Sequence, residues 1–307
     1  KRPYYNSPGL PISWEEKDYM PGKNEVVWVE NRLNAPLEVK KAFQFLHSDD
    51  PRTKRDGEGY IPSDQLYVLS PDSQKIMFKK ARRFTRSEMM VMEMLSTNEW
   101  QRPMYFAVTI GNDYHLGLDP YLELTGLAYR ITPERSADGR PRVNTEVMYD
   151  NMLHKFKYGN MNVPGIYIDE NTMRMCRTHR MMFMELAEAL YNEGKHDKCL
   201  EVLDFAEEML PGYNIPYDYT SATMASYYYR LGAMDKANAV MTKIADNCAE
   251  YMVWGASLPK EQRASSQSTL GHQMAVLGYV LQNFERYEQK ELFNYYYDIY
   301  AQYASMR

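Results

Sequence analysis

The chain has little cysteine: three in 307 residues, Cys176, Cys199 and Cys248, none in a Cys-x-x-Cys pair. An odd, widely spaced set excludes a disulfide framework and a cysteine zinc site, and leaves the redox compartment open. Long apolar runs are also missing. The longest, such as Tyr105 to Ile110, are far too short to cross a bilayer. No excess of positive charge is present. The net charge is −5 and the isoelectric point about 5.8, which argues against a general affinity for nucleic acid. Gly-x-Gly-x-x-Gly, the P-loop, His-Glu-x-x-His, Gly-x-Ser-x-Gly and the EF-hand loop are all absent. The six histidines are scattered, so each reads as a helix-end or surface residue before it reads as a ligand. No catalytic residue, metal site or cofactor is expected.

What is present suits a folded protein: 44% apolar and 25% charged residues. Tyrosine (27) and methionine (22) are abundant. Tyrosine suits half-buried surfaces with a wet edge, and methionine fills irregular cores. The chain opens Lys1-Arg2-Pro3 without an initiator methionine, and we read it as a piece of something longer.

The pattern along the chain predicts an α+β protein. Residues 1–25, rich in Pro, Gly and Tyr, form an extended segment or tether. Residues 26–142 form a small mixed α/β domain, and 143–307 an all-α, tetratricopeptide-like domain. In the mixed part, strands are expected at 26–29, 66–69, 76–78, 104–110 and 127–131. A helix is expected from Ala35 to His47, capped by Asn34 with Pro36 in its first turn. A second follows the capping box Thr85-Arg86-Ser87-Glu88, with Val91, Met94 and Leu95 facing inward. A helix over 145–157 and an irregular link lead to Asp169, which caps the next helix.

From there the spacing is that of helical hairpins of ~34 residues. With Gly194 at the turn, Phe183, Leu186, Ala187 and Leu190 fall on one helix and Cys199, Leu203 and Ala206 on its partner. Small residues at Ala187, Cys199 and Ala206 let the helices approach closely. A second unit turns at Gly232, its extra residues lying in 212–218. A degenerate third covers 262–305, with Asn283-Phe284 near its turn.

Four places carry chemistry worth weighing. Lys75, Lys79, Lys80, Arg82, Arg83 and Arg86 form a basic run that reads as contact with anionic lipid or a phosphorylated ligand, or as a strand edge kept soluble by charge. The loop bearing Asp113, His115, Asp119 and Glu123 reads as an acid/base or metal site, or as a glycine-punctuated turn. Asp169 and Glu170 read as a ligand grip, or more simply as a cap and a dipole complement. Finally, the first helices of the repeats offer Met181, Met184, Glu188, Tyr191 and Asn192, then Tyr219, Ala222, Ser226, Tyr229 and Arg230. These read as a protein-binding face or as a surface packed on the N-terminal domain.

Two stretches carry a resemblance. One is Trp100-Gln101-Arg102-Pro103-Met104-Tyr105-Phe106-Ala107, continuing through Leu116-Gly117-Leu118, Tyr121-Leu122 and Gly126-Leu127-Ala128-Tyr129-Arg130. The other is Lys155-Phe156-Lys157-Tyr158-Gly159, then Gly165-Ile166-Tyr167-Ile168-Asp169-Glu170-Asn171 and Arg174. From Val26 to the second repeat the chain resembles the soluble C-terminal region of an uncharacterised Bacteroidetes family of multi-spanning membrane proteins. The membrane half of that family is similar to the GT-C glycosyltransferases, the class of the protein O-mannosyltransferases. The resemblance implies a tail after the last span, facing the periplasm, with its own membrane-embedded half as a partner and an acceptor protein or peptide as another. It implies polyprenyl-phosphate sugar donors for the parent and a catalytic acid in the absent half, so it carries no catalytic residue over to this chain. Physically, Trp100, Tyr105 and Phe106 read as core, and Gly117 and Gly126 as turns.

Overall fold

The computed structural model describes residues 26–55 and 58–304, with the side chain of Arg55 outside the description. The expected N-terminal tether therefore lies outside the described residues. The chain is α+β and divides into two compact units, Lys1–Asn144 and Thr145–Arg307.

The first unit is built of short strands and two helices. In chain order these are β1 (Val26–Trp28), β2 (Leu37–Glu38), α1 (Val39–His47), β3 (Lys54–Arg55), β4 (Glu58–Gly59), β5 (Leu66–Leu69), β6 (Lys75–Met77), β7 (Arg83–Thr85), α2 (Arg86–Asn98), β8 (Tyr105–Ala107), β9 (Leu122–Leu124), β10 (Ala128–Ile131) and β11 (Arg142–Val143). They form a four-stranded sheet of order β11-β9-β10-β8, a three-stranded one of order β2-β5-β6, and the pairs β1-β7 and β3-β4. Phe43, Ile61, Phe78, Phe84, Met92 and Leu118 meet in one core.

Three expectations shift here. Helix α1 begins at Val39 rather than Ala35. Asn34 has a left-handed backbone, and residues 37–38 pair with β5 instead of starting a helix. Its buried stripe is still Val39, Ala42, Phe43 and Leu46. Helix α2 has its full capping box, Thr85 accepting from the Glu88 N–H and Glu88 from the Thr85 N–H. Its inward residues, however, are Met89, Met92 and Leu95, while Val91 and Met94 are only half-buried. The aromatic stretch 104–110 keeps just Tyr105–Ala107 as strand, because its partner β10 runs out opposite Ala107. Tyr105 stands half exposed and is not core; Phe106 is buried.

The second unit is helical: α3 (Thr145–Asp150), which runs on as a single π-type turn over Asn151–Lys155, then α4 (Glu170–Asn192), α5 (His196–Met209), α6 (Tyr219–Arg230), α7 (Met234–Ser257), α8 (Lys260–Ser265), α9 (Gln267–Arg286) and α10 (Lys290–Ala304). Asp169 caps α4, accepting from the N–H groups of Asn171 and Thr172. The pairs α4–α5, α6–α7 and α9–α10 are hairpins, and α4 packs on α6 and α7 on α9. Ala187, Cys199 and Ala206 are buried at the first crossing, where the Cys199 thiol donates to the Ala187 carbonyl at 3.2 Å.

All three hairpins turn in the same way. The N–H of Gly194 bonds the Tyr191 carbonyl, and that of Lys195 the Leu190 carbonyl. Gly232 and Ala233 repeat this on Tyr229 and Tyr228, and Glu288 and Gln289 on Glu285 and Phe284. The third turn therefore lies at Glu288, whereas Asn283 and Phe284 are buried inside α9. A left-handed residue closes each turn, with φ of +74°, +77° and +58° respectively, but only the first two are glycine.

Between the first two hairpins, the link 210–218 is held from inside by Arg180 on α4. This side chain is 3% exposed. Its Nη2 donates to the carbonyls of Leu210 and Ile215 at 3.0 and 2.8 Å, its Nη1 to that of Pro216 at 2.8 Å, and Asp218 lies 3.9 Å away. Burial lowers the guanidinium pKa, and Asp218 and Glu207 push it back up.

Tyrosine hydroxyls tie hairpins together by donating to carboxylates: Tyr228 to Asp204 at 3.0 Å, Tyr296 to Asp246 at 2.5 Å, and Tyr217 to Glu207. Tyr149 donates likewise to Glu201.

Three outcomes follow from these contacts. Gly194→Ala has open space for its Cβ, so only backbone strain opposes it, and urea unfolding should show a loss of about 1 kcal/mol, with Glu288→Gly gaining about as much. Arg180→Met leaves the carbonyls of the buried Leu210 and Ile215 unpaired and should cost about 3 kcal/mol in the same experiment; a change under a third of that would remove Arg180 as the clamp. Burial first, and then the Glu201 partner, raises Tyr149 from 10.0 to about 12, and burial raises Tyr217, Tyr228 and Tyr296 as well. A phenol whose folded pKa is raised stabilises the fold below its unfolded pKa, and that contribution is lost as pH rises through the folded value. Circular dichroism should therefore hold to about pH 10 and fall only above it.

Candidate functional site

Helices α4 and α6 lie side by side as the first members of their hairpins. Along α4, Met181, Met184, Glu188 and Tyr191 follow at helical spacing and form one stripe. Met181, Glu188 and Asn192 are exposed, while Met184 and Tyr191 are half-buried. Along α6 the matching stripe is Tyr219, Thr223, Tyr227 and Arg230. The rings of Tyr191 and Tyr227 meet edge to face at 5.5 Å, and Tyr191 stacks on His196 at 5.2 Å. The exposed Arg230 guanidinium sits 4.5 Å from the Tyr227 ring centre and 5.9 Å from that of Tyr191. Tyr219, also exposed, touches the Tyr279 ring of α9 at 4.9 Å. Burial pushes the Tyr227 phenol up to about 12, with Glu188 adding to the shift and Arg230 opposing it. The phenol therefore stays neutral at physiological pH.

This face is a flat cation laid on aromatic rings, flanked by a carboxylate, exposed methionine and an exposed tyrosine. Such groups bind other polypeptides well, because rigid rings and a planar guanidinium lose little entropy on contact.

Not every residue expected on this face is there. Ser226, Tyr229 and Ala222 are buried. The Ser226 hydroxyl donates to the Thr223 carbonyl at 2.7 Å. Tyr229 stacks on Tyr287 at 4.5 Å and donates to Asn238, which in turn donates to Gln289. Helix α6 packs against α4, α7 and α9, so most of its circumference is covered. Tyr227, which the expectation did not name, is itself buried at 3% exposure and lies beneath Arg230. Counting i, i+4, i+8 and i+11 from Tyr219 would have found it.

In the 113–123 loop His115 and Asp119 meet, while Asp113 and Glu123 have partners elsewhere. Asp113 is exposed, and its carbonyl, not its carboxylate, accepts from Lys79 at 2.9 Å. His115 is 1% exposed, wedged between the rings of Phe106 and Tyr129, with Nδ1 2.9 Å from Asp119. Its Nε2 is buried without a hydrogen-bond partner among the described residues. Glu123 lies on β9 and accepts from Arg142 and Asn144. Among the described residues no three His, Cys, Asp or Glu side chains gather as metal ligands do. Gly117 is needed here for packing: at φ +81° an added Cβ would lie 3.0 Å from the Lys79 nitrogen.

Grooves also open among the described residues. One of about 540 Å³ lies in the first unit, lined by Val91, Met94, Met104, Tyr105, Ile110 and Tyr114. Another, about 750 Å³, lies in the second unit between α5, α7 and the 210–218 link, lined by Asp204, Glu207, Glu208, Asp246 and Glu250. Three of these five carboxylates already accept from tyrosine hydroxyls.

Residues 1–149 match the model of a family described as TMEM260-associated domain 2, which links the N-terminal unit to a TMEM260-like family. No curated protein and no solved structure gives a match.

Proposed function

We propose that this chain is a non-catalytic accessory region of a membrane protein, and that it holds or orients a protein partner through the tyrosine–arginine face of α4 and α6. The match to a TMEM260-associated domain supports the accessory role. No helix among the described residues is long and apolar enough to cross a membrane, so on this reading the spanning part belongs to the parent protein. We further propose that the parent is a GT-C-like glycosyltransferase of Bacteroidetes, that this region lies on the periplasmic face of the inner membrane, and that the partner is the acceptor polypeptide. The resemblance carried by residues 100–107 and 165–171 supports that setting. On this reading the hairpins are tetratricopeptide-like, and α4 and α6 are the helices along which a visiting segment lies.

One observation carries the partner-binding role: the guanidinium of Arg230 stands exposed over the buried Tyr227 and the half-buried Tyr191, where a partner can reach it. An exposed cation–aromatic contact contributes only about 0.5–1 kcal/mol to stability. Arg230→Ala and Tyr191→Ala should therefore stay folded. They should weaken binding of unstructured, aromatic-containing polypeptides by about tenfold, the scale of a binding hot spot. The full-length parent carrying both changes should glycosylate its acceptors less. Unchanged binding and unchanged glycosylation together would reject the reading and leave a module that serves assembly alone.

A further inference from the structure

The basic run 75–86 contains six lysines and arginines, with no acidic residue between Asp72 and Glu88, in a chain whose net charge is −5. The fold uses part of it. Lys75 lies over the Tyr67 ring at 4.6 Å, and Lys79 pairs with Glu88 at 3.0 Å. Lys80 has only a loose partner, Asp64 at 3.6 Å, and Arg82 and Arg83 make no ion pair among the described residues. All three are exposed.

The strand pair supplies a second observation. β1 and β7 run antiparallel, with Trp28 opposite Arg83 and Val27 opposite Phe84. Phe84 is buried in the core with Val27 packed beside it, so the alternation of the strands turns Trp28 and Arg83 to the outer face together. Trp28 is 58% exposed. Charge alone would keep a strand edge soluble, and that accounts for the arginines. It does not account for an exposed tryptophan set among them. An indole beside unpaired guanidinium groups matches the headgroup region of a bilayer, where the ring sits at the interface and the cations meet lipid phosphates.

We propose that the outer face of β1 and β7, carrying Trp28 and Arg83, together with the exposed Lys80 and Arg82 on the segment leading into β7, docks on the surface of an anionic bilayer. This goes beyond partner binding by α4 and α6 and uses none of those residues. Docking of this kind fixes the first unit against the membrane by many weak contacts, with a strength that depends on lipid charge and on salt.

Co-sedimentation of the 307-residue chain with vesicles tests this directly. Binding is expected to vesicles of phosphatidylcholine mixed with phosphatidylglycerol, not to phosphatidylcholine alone, and should disappear as salt is raised. The Arg82→Gln, Arg83→Gln double variant should bind about thirtyfold more weakly, the factor that two such surface contacts supply. Lipids brominated on the upper acyl chain should quench tryptophan fluorescence in the parent chain and not in Trp28→Phe. Both sets of side chains are exposed, and circular dichroism confirms that each variant is folded. Equal binding to neutral vesicles, no binding to either kind, retention on heparin only, or a double variant that binds as before would each overturn the assignment. So would quenching that persists in Trp28→Phe. The vesicles hold no acceptor polypeptide, so failure here leaves the partner-binding reading standing, and the reverse is also true.

Discussion

A buried arginine sets the geometry on which the second unit depends. Arg180 is out of water, and an ion there is costly unless its hydrogen bonds are met. They are met by backbone, through three carbonyls of the link between the first two hairpins. Those carbonyls would otherwise be orphans at the end of α5 and in an irregular loop. The charge and the loop thus satisfy each other. The consequence reaches the surface, because the link decides where α6 begins relative to α4. The contact of Tyr191 with Tyr227, and the place of Arg230 above both, follow from that placement.

The first unit solves a different problem. Its strands are two to four residues long, too short for any one sheet to bury much. Its core is instead a set of large side chains drawn from both helices and most of the strands, from Val39 in α1 to Ile131 in β10. A fold of that kind has thin sheets with outer faces in solvent, and the β1–β7 pair has one, where Trp28 stands opposite Arg83. The same economy explains the 113–123 loop. His115 fills space between Phe106 and Tyr129, Glu123 braces β9 against Arg142, and the groups serve packing in separate places.

The hairpins were legible in the sequence because three signals agreed at once. Small residues at Ala187, Cys199 and Ala206, apolar spacing on both helices, and a glycine at the turn all asked for the same crossing. The third hairpin lacked the last of these. Its turn has the same hydrogen bonds but uses Glu288 in a left-handed conformation, so without a glycine to mark it the turn could be placed only near Asn283-Phe284, whose carbonyls accept from Tyr287 and Gln289. The start of α1 was missed for a related reason. Asn34 and Pro36 are good helix-start residues, yet pairing of Leu37 and Glu38 with β5 claimed the backbone first, and that pairing depends on residues thirty positions away. Exposure on the two first helices was legible only in part. Helical spacing places Met181, Glu188 and Asn192 at the surface of α4, whereas on α6 Ser226 and Tyr229 are buried. Ser226 and Tyr229 turned inward because a helix packed on three sides leaves only one stripe open.

The abundance of tyrosine has a structural answer. In the second unit, several phenols bury a ring in a crossing and send a hydroxyl to a carboxylate on another helix, as Tyr228 does to Asp204 and Tyr296 to Asp246. Phenylalanine would fill the same volume but leave the acid without its donor. Such pairs fix the register of one hairpin on the next, because the hydrogen bond forms at one sliding position only. Pure apolar packing between helices rich in methionine would tolerate small shifts. The tyrosines remove that freedom, and a face shared between α4 and α6 requires its removal. A shift of one residue along α6 would carry Tyr227 away from Tyr191 and leave Arg230 over solvent. The carboxylates of the acidic groove are in part the acceptors of these bonds, so its charge is a by-product of the way the hairpins are held in register.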